Sequence, residues 1–283
     1  MSYFTRILCC SLMLLTSCAT TRAPEVKTPQ AVADNSYPPV IEASAARAQA
    51  VEDAWRSLLT EFKLPETRLE LEPILYTPRA LPANLAGQIS LNPQEGKVGA
   101  EEAKTALRRF IERAHVVLSG DQRSGALTLK DLSLISFSDE GDMYRALYRQ
   151  MNFPFPLSNG YGEMSFVLSK AGALLQMSSR YISPLLLSIE LPARARVESQ
   201  KLIDPLLGRE FTYTNIAGQP MTYKVAQRNE ISVGELVIYP KPDKDRLAVH
   251  LAWQIIVGRG TDWTVFIDAI TGKEIDVKQN FVS

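Results

Sequence analysis

The chain has 283 residues, 46% of them hydrophobic and 22% charged, with 31 basic and 31 acidic side chains. That is enough apolar material for a sizeable core, and the zero net charge excludes the basic footprint a nucleic-acid partner requires. Cysteine occurs only at Cys9, Cys10 and Cys18, so the body offers no internal disulfide and no cysteine metal site.

Arg6 precedes Ile7–Leu15, an apolar run too short to span a bilayer, which takes about 20 residues. A positive residue before a short apolar run reads as a secretory signal, outside the fold. It closes on Leu15-Thr16-Ser17-Cys18, which resembles the lipobox of bacterial lipoproteins. The resemblance implies cleavage before Cys18 and acylation of its thiol and of the new amine. Several acyl chains give a stable anchor where one gives only marginal binding. By resemblance to the sorting rule of enteric bacteria, Ala19 in place of Asp implies the outer membrane, facing periplasm or cell surface. Removing residues 1–17 takes away one Arg and no acid, so the charge stays near zero.

From Thr20 to about Pro39 the chain is rich in Thr, Ala and Pro without an apolar period, and reads as an extended tether. Ile41, Ala45, Ala48, Trp55, Leu58, Leu59 and Phe62 share one helical face, predicting a helix over 41–62 that Pro65 stops. Two strands follow at 68–76 and 85–91, the first interrupted by Pro73. A second helix lies between Gly99 and Gly120, with Ala103, Leu107, Phe110, Ile111, Ala114, Val117 and Leu118 on its stripe. Glu101 and Glu102 favour the dipole at its start.

Strand-like runs then cover 127–137, 143–151, 161–168 and 173–182, separated by turns rich in Gly and Asp. Pro184 and Pro192 mark a break. A short helix is expected over 197–207, and strands over 211–215, 221–225, 235–239, 247–257, 263–268 and 274–277. Pro240-Lys241-Pro242-Asp243 and Ile270-Thr271-Gly272 read as turns. Met164–Leu168 with Gly172 parallels Trp263–Ile267 with Gly272, Phe166 aligning with Phe266. Upstream, Leu147–Gln150 echoes Leu251–Gln254. The pattern predicts two related units, each a helix followed by an antiparallel meander.

Glu235–Pro240, Leu251–Gln254, Trp263–Ala269 and Thr271-Gly272-Lys273 together resemble the PepSY domain of secreted metalloprotease propeptides and envelope proteins. Tyr144–Gln150, Pro154-Phe155 and Gly172 resemble the companion fungalysin/thermolysin propeptide domain. The resemblance covers roughly residues 100–282. It implies an α+β fold of two tandem propeptide-like units, each a helix packed on an antiparallel β-meander, with an N-terminal helical extension. The expected divisions are a signal at 1–17, lipidated Cys18 and tether at 18–40, helix and strands at 41–98, a propeptide-like unit at 99–190 and a PepSY-like unit at 191–283.

Zinc protease chemistry needs two histidines four apart with a glutamate between them. The two histidines here, His115 and His250, have no such spacing, and the sequence given ends at Ser283 without a protease domain. No Gly-x-Ser-x-Gly elbow or phosphate-binding loop occurs. Asp139, Glu140 and Asp142 match no full calcium loop and read as an acidic turn. Trp253 and Trp263 read as core, and His250 as a hydrogen-bonded structural histidine. The expectation is therefore a non-catalytic protein with no metal and no cofactor.

Propeptides of this kind inhibit their enzymes and help them fold. The resemblance thus implies a thermolysin-like secreted metalloprotease as partner, met by the segment Lys278–Ser283 with Asn280, Phe281 and Val282 as contacts, the last two as apolar anchors. The alternative is a structural or assembly lipoprotein that binds another envelope protein through exposed edge strands. In either case the membrane is met through the lipid on Cys18.

Overall fold

The computed structural model describes residues 36–92, 96–258 and 262–280; Cys18, Phe281 and Val282 lie outside them. Strand β1 (Val40–Glu42) leads into helix α1 (Ala45–Glu61). The Ser44 hydroxyl caps that helix, accepting from the Arg47 amide at 3.3 Å and satisfying one of the free amides of the first turn. The helix begins later than the spacing of Ile41 predicts, because Ile41 pairs with Leu247 in a sheet. Strands β2 (Glu70–Leu71) and β3 (Pro78–Ala80) form a two-stranded piece, and β4 (Ile89–Ser90) follows. The long strands expected over 68–76 and 85–91 shrink to these pairs of residues. Pro73 cannot donate to a ladder.

Helix α2 (Ala100–Arg113) and the short α3 (His115–Ser119) fill the span between Gly99 and Gly120. The Glu102 carboxylate accepts from the Gly99 amide at 2.8 Å. Strands β5 (Leu132–Asp139), β6 (Met143–Gln150), β7 (Glu163–Ser169) and β8 (Ala173–Ser179) run as an antiparallel meander, with β4 added outside β8. One face of this sheet is covered by helices. Phe110 and Ile111 of α2 and Trp55 and Leu59 of α1 join Met164, Phe166 and Met177 in a single core. Phe110 meets Phe166 edge to face with ring centroids 6.2 Å apart, a favoured aromatic geometry. Helix α1, expected as an extension, is thus part of the same core as α2.

The second half departs from expectation at its start. Residues 197–207 form two short 3-10 turns, Ser199–Leu202 and Asp204–Leu206, where an α-helix was expected. Pro205 has no N–H to continue an α-helical ladder. Strands β9 (Glu210–Thr214) and β10 (Pro220–Lys224) form a hairpin. A second antiparallel meander then contains β11 (Ile231–Asp243), β12 (Arg246–Val257), β13 (Trp263–Asp268) and β14 (Glu274–Gln279). No α-helix covers it among the described residues. Leu202, Ile203 and Leu206 of the turns and Phe211, Tyr213 and Tyr223 of the hairpin pack on Trp263, Ile255 and Val265 instead. The expectation of one helix per meander is corrected on this point. The architecture is mixed α+β with antiparallel sheets.

Two local features follow from proline and chain length. Pro240 and Pro242, read as a turn, lie inside β11 opposite Val249 and Leu247. They alternate, so both missing N–H groups fall on the outer edge, where proline costs no ladder bond. Strand β12 is long enough to be paired twice along its other edge. Ala252–Val257 pair with β13, while Arg246–Ala248 pair with β1.

The second sheet is strongly curled. Three strand spacings would hold β11 and β14 about 14 Å apart in a flat sheet. Yet the Tyr239 hydroxyl on β11 donates to the Asp276 carboxylate on β14, and Lys241 Nζ donates to the Ile275 carbonyl at 2.6 Å. The concave face therefore closes over its own side chains: Val237, Tyr239, Ala252, Phe266 and Ile275 form a separate small core. A bulge in β14 leaves Ile275 unpaired between Glu274 and Asp276, and bulges increase local bending.

Candidate functional site

Asn280, expected as a partner contact, is the last described residue after β14. Gln279 pairs with Trp263, and the Asn280 amide donates to the Asp262 carbonyl at 2.9 Å. Asn280 Nδ2 donates to the Thr264 hydroxyl at 3.0 Å. Its side chain is engaged with β13, which fixes the chain at this exposed position. Phe281 and Val282 follow outside the described residues. Among the described residues no strand pairs with the outer edge of β14.

One cluster of convergent polar groups lies at one end of the curled interior. Asp268, at the end of β13 and 2% exposed, accepts four bonds. Oδ2 takes the Tyr37 hydroxyl at 3.0 Å and His250 Nδ1 at 2.7 Å. Oδ1 takes the Ile270 and Thr271 amides at 2.9 and 2.8 Å, the local turn bonding that sequence reasoning assigned to Asp. The Tyr37 hydroxyl in turn accepts from the Leu251 amide at 3.0 Å. The Tyr37 and His250 rings meet edge to face, 6.2 Å between centroids.

Burial by itself would raise the Asp268 carboxyl; the bond from His250 and those from the Thr271 and Ile270 amides outweigh it and hold the group below the usual carboxylate range. Burial, then the Asp268 charge, push the Tyr37 phenol up, so it stays a donor. A carboxylate has about four lone-pair sites, and all those of Asp268 are used. What this constellation does chemically is tie the segment at Tyr37 to the last sheet. Tyr37 escaped sequence reasoning because it sits at the end of a stretch with tether composition. The only sequence signal was an aromatic residue in an otherwise Thr-, Ala- and Pro-rich run.

His115 sits at the start of α3, with Nδ1 3.0 Å from the Glu112 carbonyl. Trp263 is buried and stacks on Phe211 and Tyr223 at 5.2 and 5.0 Å. Trp253 is half-buried and donates to the Val197 carbonyl at 2.9 Å. Both therefore act in packing. Among the described residues no group of three or more His, Cys, Asp or Glu converges as a metal site. The acidic turn is internally paired: Glu140 bonds Arg145 and Asp139 bonds Lys170. No helix of the described residues is long and apolar enough to cross a membrane.

A groove of about 320 Å³ runs between α1 and residues 66–71, with Val51, Trp55, Leu59 and Leu69 as its apolar lining. Trp55 Nε1 donates to the Thr67 carbonyl at 2.7 Å across its floor, and Arg56 bridges Asp53 and Glu66 at its rim.

No protein-family profile matches the chain, and none of the curated proteins does. Among solved structures it is similar to the Bacillus megaterium YpeB C-terminal domain, with a TM-score of 0.32 and 12% identity over 84% of this chain and 98% of that one. A likeness at that level carries no argument about activity.

Proposed function

We propose that the chain is a lipid-anchored binding protein of the bacterial envelope. In this reading its propeptide-like sheets dock on a secreted or envelope protease as inhibitor or folding helper, without catalysis of their own. The reading starts from the lipobox-like Leu15–Cys18 and the PepSY-like strings of the last strands.

The structural observation that carries it furthest is the end of the second sheet. Among the described residues β14 is an edge strand, and Asn280, which follows it, is anchored by Asp262 and Thr264 of the neighbouring strand region, directly after the Gln279–Trp263 pair. The segment from Phe281 onward thus leaves from a fixed point. An extended segment so placed can add to an enzyme's edge strand by backbone bonds, with Phe281 and Val282 as side-chain anchors. Holding the take-off point reduces the ordering that binding requires.

The assembly reading uses the same edge for another envelope protein. Capture on the immobilised full chain from envelope and culture medium of the source organism, read by mass spectrometry, separates the two. A thermolysin-like protease among the captured proteins supports the inhibitor or helper reading. A reproducible set of outer-membrane or secretion components with no protease replaces it by the assembly role.

A further inference from the structure

The hairpin of β9 and β10 carries a feature that neither the core nor the β14 edge explains. Its strands hold one face, Phe211 and Tyr223, against Trp263. Its turn projects Ile216, 93% exposed, and Met221, opposite Tyr213 in the ladder, is 41% exposed. From Phe211 to Tyr223 there is no charged residue, in a chain 22% charged.

The turn also satisfies much of its own backbone. The Asn215 amide donates to the Gln219 carbonyl and the Gly218 amide to the Asn215 carbonyl, both at 2.9 Å. The Asn215 side-chain oxygen accepts from the Gln219 amide at 2.9 Å. An uncharged tip with much of its backbone bonded internally can set the Ile216 side chain at the boundary between headgroups and hydrocarbon, where the cost of burying a charge or an unpaired peptide group begins to rise.

We infer that the Ile216 tip of this hairpin is a second, shallow membrane contact, taking up the interface of a zwitterionic lipid surface. A protein partner is the less suited occupant. The rings that would make a binding hot spot, Phe211 and Tyr223, are already stacked on Trp263, and the apex offers no Arg or aromatic anchor. The stretch from Cys18 to Ser36 extends at most about 60 Å, which keeps the body within reach of the bilayer. That last point rests on the lipid-anchor reading; the composition and exposure of the tip do not. A weak contact at a surface to which the chain is already tethered is reinforced by effective concentration.

The test uses the full chain with Cys9, Cys10 and Cys18 replaced by Ser, and a polarity-sensitive fluorophore on Ile216→Cys. The control is Ser57→Cys, on the exposed face of α1. With phosphatidylcholine vesicles the probe at 216 should shift to the blue and the probe at 57 should not. The shift should survive high salt, because no charge takes part. In the same cysteine-free chain, Ile216→Asn should lower vesicle partitioning about tenfold, the loss expected for one buried aliphatic side chain.

A probe at 216 that stays in water, one that shifts equally at 57, or one that shifts only when envelope proteins are added would overturn the inference. Acylation is read separately, from the mass of the peptide containing Cys18 in the unmodified chain. Failure of the anchor and failure of the tip are thereby distinguished.

Discussion

The two four-strand meanders meet the same demand by different means. The first, β5 to β8, buries one face under α1 and α2, and its interior is apolar around Phe166. The second, β11 to β14, has no α-helix over it among the described residues. It buries one face under the β9–β10 hairpin and closes the other on itself, with Tyr239, Asp276, Lys241 and the Asp268 cluster tying the curl. A helix supplies a ready apolar stripe. A sheet that lacks one must bend, and bending brings polar groups of distant strands into its interior. The second sheet should therefore depend on polar bonds between its own outer strands, whereas the buried polar bonds of the first, from Gln150 and Ser179, run to the segments at Ile182 and Leu118.

The largest effect is expected at Asp268. Asp268→Ala leaves Tyr37, His250 and two amides without their acceptor, and should cost about 3–5 kcal/mol in chemical denaturation. The pH dependence sharpens the same point. The folded pKa of Asp268 lies below its unfolded value, so its contribution is complete above the unfolded value of about 4 and is lost as pH falls through the folded one. Asp121 is also held low, because the bonds from Arg123 and Ser183 outweigh its burial. The unfolding midpoint should drop below about pH 4, and Asp268→Asn should remove part of that drop, leaving the part due to Asp121. An unaltered pH profile in Asp268→Asn would show that the curl does not rely on this carboxylate.

Next come the matched glycines of the two hairpins. Gly172 and Gly272 both have positive φ, 79° and 73°. A Cβ on Gly172 would sit 2.7 Å from Asn92 Cβ, whereas on Gly272 the nearest contact is Val197 Cγ2 at 3.7 Å. Gly172→Ala should cost about 3 kcal/mol, combining backbone strain with overpacking. Gly272→Ala should cost about 1–2 kcal/mol, from the backbone alone. Equal costs would break the comparison. The smallest effect is Tyr239→Phe, which removes one cross-edge bond and should cost about 1–2 kcal/mol by equilibrium unfolding, since Asp276 remains half-buried.

Much of this organisation is legible in the sequence because the strands alternate and the turns carry Gly and Asp. The strand-like pattern over 263–268 predicts β13 at its observed bounds, Trp263–Asp268, and the span between Gly99 and Gly120 holds α2 and α3. The repeat is visible for a physical reason: Leu175 and Ile275 are both the extra residue of a bulge, three residues after a positive-φ glycine. The echo of Leu147–Gln150 in Leu251–Gln254 does not hold in pairing, however. Phe166 faces Ala146, whereas its counterpart Phe266 faces Gln254.

What the sequence hid was non-local. Ile41 fits a helical period, yet it is claimed by β12 some 200 residues on, through pairing that no local pattern reports. The 197–207 stretch shows apolar spacing but carries Pro205, and the proline prevails. Tyr37 has no periodic context, so its bond to Asp268 could only be seen in three dimensions. Of the candidate partner contacts, Asn280 alone lies among the described residues, exposed and with its side chain bonded to Thr264.

In the proposed reading, the segment leaving β14 engages a protease. The direct measurement is inhibition of a thermolysin-like metalloprotease by the full chain, compared with Phe281→Asp, a change beyond the last paired residue of β14. The account predicts that the unaltered chain inhibits and that Phe281→Asp is weaker by at least about tenfold, the loss of one apolar anchor. Equal inhibition by both would contradict the anchoring role of Phe281, and no inhibition by either would contradict the inhibitor reading itself.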